Sequence, residues 1–446
     1  MTQQTNTLQK AQVRSMHIAY HAPPRGFVGS LRNGHIIKEL DKFNQEQIVL
    51  TARFKDGMPL ELLSNTNTTI YQLINLDYRL FSRLLPKRQR TSTANYSNAP
   101  KSAWSRKLMD SFPTNLLFGE GGFLYVVCGI ILGIYLIKKQ GITHLFSYYR
   151  CHADLLIAAA LKRCFPQLKW IADFADTPID PAINNVFFKA FQQRCYQKLL
   201  RPAEFITTVS KSHGQLLRAF HPRVHLLYNG IEKLATNTPK TTTNANQYFT
   251  ITYTGSLYGK RDPRPLFAAL QNMIADKMLL IRDLRLVYAG KDHQQWDSYI
   301  KQFKLTEAAI THQHLSPTAA RQLQQDSQIN LLLSWANPQV NGWLTYKLYE
   351  YLLANRPILS IVTGSTDAEL EAVIGRFNSG LVYYPQQYDE LCLRQFITYQ
   401  YEQWQLNGQT KNTTSLRGLE RYEWRQQVAR LWTRVAQQQV LKEVSN

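Results

Sequence analysis

Residues 341–361, NGWLTYKLYEYLLANRPILSI, decide how this chain is read. An apolar run at 329–336 precedes them and predicts a strand. The quoted segment then opens a helix, with Lys347 near its start and Glu350 one step further in. It stops at Asn355-Arg356-Pro357, where a second apolar strand begins. A strand, a polar loop, a helix N-terminus with a cation and then a carboxylate can hold a nucleoside diphosphate. The free N–H groups and the helix dipole face the phosphates, and the carboxylate accepts hydrogen bonds from a ribose diol. The closing βαβ unit of any parallel sheet also has this form, with Lys347 and Glu350 on a solvated face. These residues alone leave both readings open.

Upstream, the same alternation starts at 248–254, which predicts a strand ending at Gly255-Ser256 and followed by a helix from about 263. A strand at 284–289, helix-like sequence at 293–303 and 317–326, and a strand at 380–384 complete one α/β sheet. The first half repeats the theme. Strands are expected at 16–20, 47–51, 142–147, 168–174 and 205–210, with helices at 122–139, 152–164 and 184–201. A polar run, EKLATNTPKTTTNANQ (232–247), divides the halves. The expected organisation is a first domain over 1–230, a linker at 231–247 and a second domain over 248–415. A helix at 416–446, with Leu416, Leu419, Val428, Leu431 and Val435 at helical spacing, is expected to pack back on the first domain. Residues 87–103 read as a mobile surface loop.

The 446 residues carry a net charge of +21, and the excess is uneven: residues 1–228 hold 29 Lys+Arg against 13 Asp+Glu. The first half therefore suits an anionic partner such as phosphate groups, an acidic membrane surface or nucleic acid. No nucleic-acid motif accompanies the charge, and none is expected as a partner. Five cysteines show no metal spacing, and residues 1–15 lack the apolar core of a signal peptide, so a reduced, cytoplasmic protein is expected. The most apolar window, GFLYVVCGIILGIYLI (122–137), falls short of the ~20 residues that span a bilayer. It reads as a buried helix of an α/β layer or, in the alternative, as a helix on a membrane surface.

Several segments, in order, resemble the retaining nucleotide-sugar glycosyltransferases of family 4. YTGSLYGKRDPRPLFAAL (253–270) resembles the donor loop, and the 341–361 run resembles the carboxylate helix. WIADFADTPID (170–180) resembles the acceptor-domain strand end. LLYNGIE (226–232) resembles the exit from the first domain, and YHAPPRGFVGSLRNGHIIKEL (20–40) the acceptor loop. The resemblance implies a GT-B fold, with two Rossmann-like domains facing across a cleft and a C-terminal helix closing the chain. It further implies that the second domain binds a nucleoside-diphosphate sugar as co-substrate, with no other cofactor and no metal. The first domain would hold a glycan or lipid-linked sugar acceptor, and the protein would be cytoplasmic, with peripheral contact to an inner membrane.

Residue by residue, the resemblance places Gly255, Ser256 and Arg261 on the donor diphosphate. The family's first loop cation is replaced here by Ser256, and Lys347 is proposed to supply the missing charge. Glu350 falls on the ribose. The family's partner glutamate, eight positions earlier, is Gly342 in this chain, and Asn341, Trp343 and Thr345 are the neighbours able to replace it. Gly29, Ser30 and Arg32 fall on the acceptor side. His152, or alternatively Arg150, falls beside the transferred sugar, and Asp176 falls on the acceptor hydroxyl as an orienting base. A nucleotide-sugar epimerase of the same fold, and a catalytically degenerate partner subunit, are the competing readings.

Overall fold

Short apolar runs alternating with helices build two parallel sheets. The computed structural model describes residues 13–26, 28–54, 58–59, 62–64, 66–75, 103–232, 247–257, 259–313, 315–410 and 414–443. The chain divides into two compact units: residues 1–228 with 424–446, and residues 229–423. Much of the expected loop at 87–103 and of the expected linker at 231–247 lies outside the described residues. Ala103 itself begins a helix, Ala103–Asp110.

The strands of the first unit are β1 (Arg14–Ile18), β2 (Arg25–Gly26), β3 (Glu46–Ala52), β4 (Met58–Pro59), β5 (Thr68–Leu73), β6 (His144–Tyr149), β7 (Lys169–Phe174), β8 (Phe205–Thr208) and β9 (Val224–Leu226). Seven form a parallel sheet in the order β5-β3-β1-β6-β7-β8-β9, while β2 and β4 make a two-residue antiparallel ribbon. β1 lies between β3 and β6, with Met16 opposite both Ile48 and Leu145. Helices cover both faces, so the central strands are apolar with little alternation. The order reverses between β1 and β6, and that switch point is where an open α/β sheet offers a ligand site.

The second unit contains β10 (Phe249–Thr254), β11 (Leu284–Ala289), β12 (Ala309–His312), β13 (Ile329–Ala336), β14 (Ile358–Gly364) and β15 (Gly380–Tyr383). Their order is β12-β11-β10-β13-β14-β15, so the reversal falls between β10 and β13. Gly255 follows the first of these strands, and the 341–361 run follows the second.

Three expectations change. The terminal helix runs from Trp424 to Glu443 rather than from 416, because Gly418 adopts φ +87° and a 3₁₀ turn, Leu419–Tyr422, precedes the helix. It belongs to the first unit, where Trp424 stacks on His35 and Trp432 on Phe43. The 184–201 helix shortens to Lys189–Leu200, with Asn184 and Phe188 at positive φ ahead of it. The helix Gly122–Gln140 is buried on one face only. Tyr125, Val126, Leu136 and Ile137 pack inward, while Phe123, Ile131 and Tyr135 face outward.

Candidate donor site and a polar cavity

In the second unit, β10 is followed by Gly255 with φ +142°, a conformation that disfavours any side chain. The space a Cβ would take is occupied by Nζ and Cε of Lys347. The loop is fixed from behind. Tyr288 Oη donates to the Gly255 carbonyl at 2.9 Å, Tyr253 Oη donates to the Ser256 carbonyl at 2.8 Å, and Leu257 N–H donates to Asp292 Oδ2 at 2.8 Å. Gly255 N–H is bonded to the Ala289 carbonyl, whereas Ser256 N–H has no acceptor among the described residues. Gly290 is required by the same packing, since a Cβ there would meet the Gly255 carbonyl.

Lys347 sits in the first turn of the helix Tyr346–Ala354, over the Tyr253 ring at 5.3 Å. Burial, and then the nearby guanidinium of Arg261, pull its pKa down to about 7. Glu350 and Asp292 act in the opposite sense. Arg261 is itself buried. Thr345, the N-cap, makes no side-chain bond to the helix, and its buried hydroxyl has no protein partner among the described residues. The positive end of this helix and two cations therefore converge near a glycine-bared strand end, an arrangement complementary to a diphosphate.

Glu350, one turn on, is raised in pKa by burial. A hydrogen bond from Gln324 and the charges of Arg321 and Lys347 counter that rise. Gln324 Nε2 also donates to Thr254 Oγ1 at 3.0 Å, so one buried amide links the carboxylate to the end of β10. Five of the proposed donor residues, Gly255, Ser256, Arg261, Lys347 and Glu350, thus occupy one locality in this unit. Sequence reasoning missed Asp292, Arg321 and Gln324. The Ala289-Gly290 strand end signalled the first, and nothing local signalled the other two.

At Gly342, where the resemblance expects a glutamate, φ is +69°. Fully buried Asp367 accepts from Gly342 N–H at 3.0 Å and Trp343 N–H at 3.2 Å. A carboxylate is therefore present, but it is spent on backbone. Trp343 turns instead toward Trp335, ring centroids 5.6 Å apart, and Lys260 lies over Trp335 at 5.7 Å.

In the first unit, the C-terminal end of β6 opens onto a cavity of about 170 Å³. Asp110, Asn115, Glu120, Arg150, His152 and Tyr196 are among its lining residues. His152 begins the helix His152–Cys164, against the rings of Phe112 and Tyr196. Burial lowers its pKa to about 4, so the imidazole is neutral at physiological pH. His152 Nδ1 and Asn115 Oδ1 are both buried without a partner among the described residues. Glu120 accepts from Arg150 Nε at 3.1 Å. The carboxylates of Glu120 and Asp176 hold Arg150 in its charged form, which places exposed Asp176 in reach of this cluster.

Arg32 does not reach the cavity group. Its guanidinium pairs with Asp173 at 2.8 and 2.9 Å and donates to the carbonyls of Leu227 and Tyr228. Asp173 also accepts from Thr207. Arg32 and Ser30 are buried, while Gly29 is partly exposed with open space around its Cα. Arg32 thereby fixes the end of β7, three residues before Asp176.

No family model and no curated protein matches the sequence. Solved structures do match the fold. A glycosyltransferase from Rickettsia africae aligns over 95% of this chain and 97% of that one, with TM-score 0.59 and 12% identity. Sucrose-phosphate synthase from Thermosynechococcus elongatus aligns over 96% and 100%, with TM-score 0.61 and 13% identity. The lipopolysaccharide outer core galactosyltransferase WaaB aligns over 96% and 100%, with TM-score 0.57 and 12% identity.

Two substitutions test this geometry. Gly255→Ala should displace the Lys347 ammonium and weaken nucleoside diphosphate binding, read by titration calorimetry, while the circular dichroism spectrum stays unchanged. Arg32→Met leaves Asp173 buried and unpaired, and should cost about 3–5 kcal/mol in denaturant unfolding. The α/β fold of two parallel sheets with their helices, shared with solved GT-B glycosyltransferases, is the architecture of this chain.

Proposed function

We propose that the chain is a glycosyltransferase. It would move a sugar from a nucleoside-diphosphate sugar to a hydroxyl of a polysaccharide or lipid-linked glycan, with retention of anomeric configuration. The observation that carries the reading is the seating of Lys347 over Gly255 beside Arg261. Two cations and a helix end match the charge of a diphosphate leaving group, and they stabilise the negative charge that grows as the glycosidic C–O bond breaks. Glu350 takes the ribose hydroxyls. The protein's own cations serve the diphosphate, and the proposal assigns no metal.

The first unit supplies the acceptor chemistry. Neutral His152 and Asn115 offer unused polar atoms to hydroxyl groups, which can both donate and accept. Asp176 orients the attacking hydroxyl, and the departing diphosphate oxygen takes its proton in a same-face displacement. Arg32, with Ser30 and Gly29 on the same helix, acts on the acceptor by positioning the β7 end.

Lys347→Ala and Arg261→Ala should each weaken nucleoside diphosphate binding by one charge-assisted hydrogen bond, about 1.5–3 kcal/mol. Unchanged affinity in both removes the donor assignment. Because Lys347 titrates near 7 when the site is empty, diphosphate affinity should fall as pH rises from 7 to 9. Binding in that range should take up a proton, seen as a dependence of calorimetric heat on buffer, and Lys347→Met should abolish both effects. Glu350→Gln should weaken ribonucleotides more than their 2′,3′-dideoxy forms. The activity itself is tested by nucleoside diphosphate release across UDP-, GDP-, ADP- and dTDP-sugars. Release that requires a glycan acceptor supports transfer, whereas interconversion of the donor sugar without acceptor points to an epimerase.

A further inference from the structure

The helix Gly122–Gln140 has two apolar faces, and the protein uses one. On its inner side Gly129 and Gly133 let it close onto Ile157 and Leu161 of the helix His152–Cys164. On its outer side Phe123 is 62% exposed, Ile131 65% and Tyr135 53%. From 122 to 137 there is no charged or amide side chain, and exposed Lys138 and Lys139 follow. A solvent-facing helix ordinarily carries charge on its outer face.

Nearby helices of the same unit also expose apolar side chains. Helices Ala103–Asp110 and Asn115–Phe118 expose Trp104 and Leu117. Phe188, 82% exposed, and Phe191 flank exposed Lys189 at the start of the Lys189–Leu200 helix. Trp104 lies 6.3 Å from the adjacent Phe187 ring, and Lys107 Nζ stands 5.8 Å from that ring on its own helix. Over residues 103–140 and 187–200 the only carboxylates are Asp110 and Glu120, and both line the cavity.

We propose that this face of the first unit docks on an anionic lipid bilayer. Aromatic and aliphatic side chains enter the boundary between headgroups and acyl chains, and the lysines meet lipid phosphates. Exposed aromatic rings suit that boundary because they are apolar in body. The helix lies on the membrane rather than across it, because its inner face is built into the helical layer of the sheet. A second copy fits less well: a two-fold contact would set the basic rims against each other.

The test is co-sedimentation of the full chain with phosphatidylcholine vesicles, with and without phosphatidylglycerol, at low and high salt. Protein should pellet with the anionic vesicles and be released by salt. Phe123→Glu/Ile131→Glu should reduce partitioning by about tenfold or more at an unchanged thermal midpoint, and Lys138→Glu/Lys139→Glu should flatten the salt dependence. Bromolipids should quench wild-type fluorescence more than that of Trp104→Phe. Wild-type protein left in the supernatant with anionic vesicles, or a double glutamate variant that pellets as wild type, overturns the proposal. So does a solution dimer that the glutamate variant splits, which would assign the face to a second copy.

Discussion

An ammonium lodged where a side chain is missing organises the second unit. Gly255 is bare, Lys347 fills the gap, and Arg261 lies near enough to raise the electrostatic cost of holding both charges. Two cations held this close repel each other, and burial magnifies the repulsion because the surroundings screen poorly. Burial lowers the pKa of Lys347 first, and the charge of Arg261 lowers it further. Glu350 and Asp292 relieve part of the repulsion without closing the site, because Asp292 is also spent on Leu257 N–H and Glu350 on Gln324. A ligand carrying negative charge relieves the rest. On the proposed reading, the charges are in position before the donor arrives, and little reorganisation is needed as charge develops on the leaving group.

What the sequence disclosed follows from how local each feature is. Gly255, Lys347 and the Asn355 stop sit at strand ends and helix ends, where backbone requirements leave marks in residue type. Asn355 does close its helix, at φ 56°. Gln324 and Arg321 leave no such mark. Their helix, PTAARQLQQD, is mostly polar, and it is brought to Glu350 by the adjacency of β10 and β13, a property of topology. The edge strands β5 and β12 also went unseen. Each is flanked by one neighbour only, and neither carries the solid apolar run of a central strand. Arg32 is the opposite case. Its place after a Gly-Ser loop suggested a ligand contact, but an aspartate 141 positions away claims the guanidinium.

The cavity of the first unit has a different character. Its charged groups are largely paired with one another, Arg150 with Glu120, and its histidine is neutral. The unused capacity belongs to neutral atoms, His152 Nδ1 and Asn115 Oδ1. A buried polar atom left without a partner costs free energy, which a ligand of matching chemistry recovers. Neutral donors and acceptors in a cavity of this size favour a polyhydroxyl group over an ion. Under the proposed function, the contrast with the cation-rich strand end of the second unit is that between holding a sugar and holding a diphosphate.

The apolar helix shows why composition cannot replace periodicity joined to topology. Read by length, residues 122–137 are too short to span a bilayer and apolar enough to be core, so burial is the natural expectation. Read by position, the glycines at 129 and 133 fall on one side, four apart, where they admit a neighbouring helix. Phe123, Ile131 and Tyr135 fall on the other. A soluble layer helix gains nothing from large apolar groups there, and exposing them risks association with other chains. The same two short helices that expose Trp104 and Leu117 also send Met109, Asp110 and Asn115 into the cavity. The apolar surface and the polar cavity thus share two helices, and on the proposed reading a glycan carried on a lipid would approach the cavity from the surface that its lipid occupies.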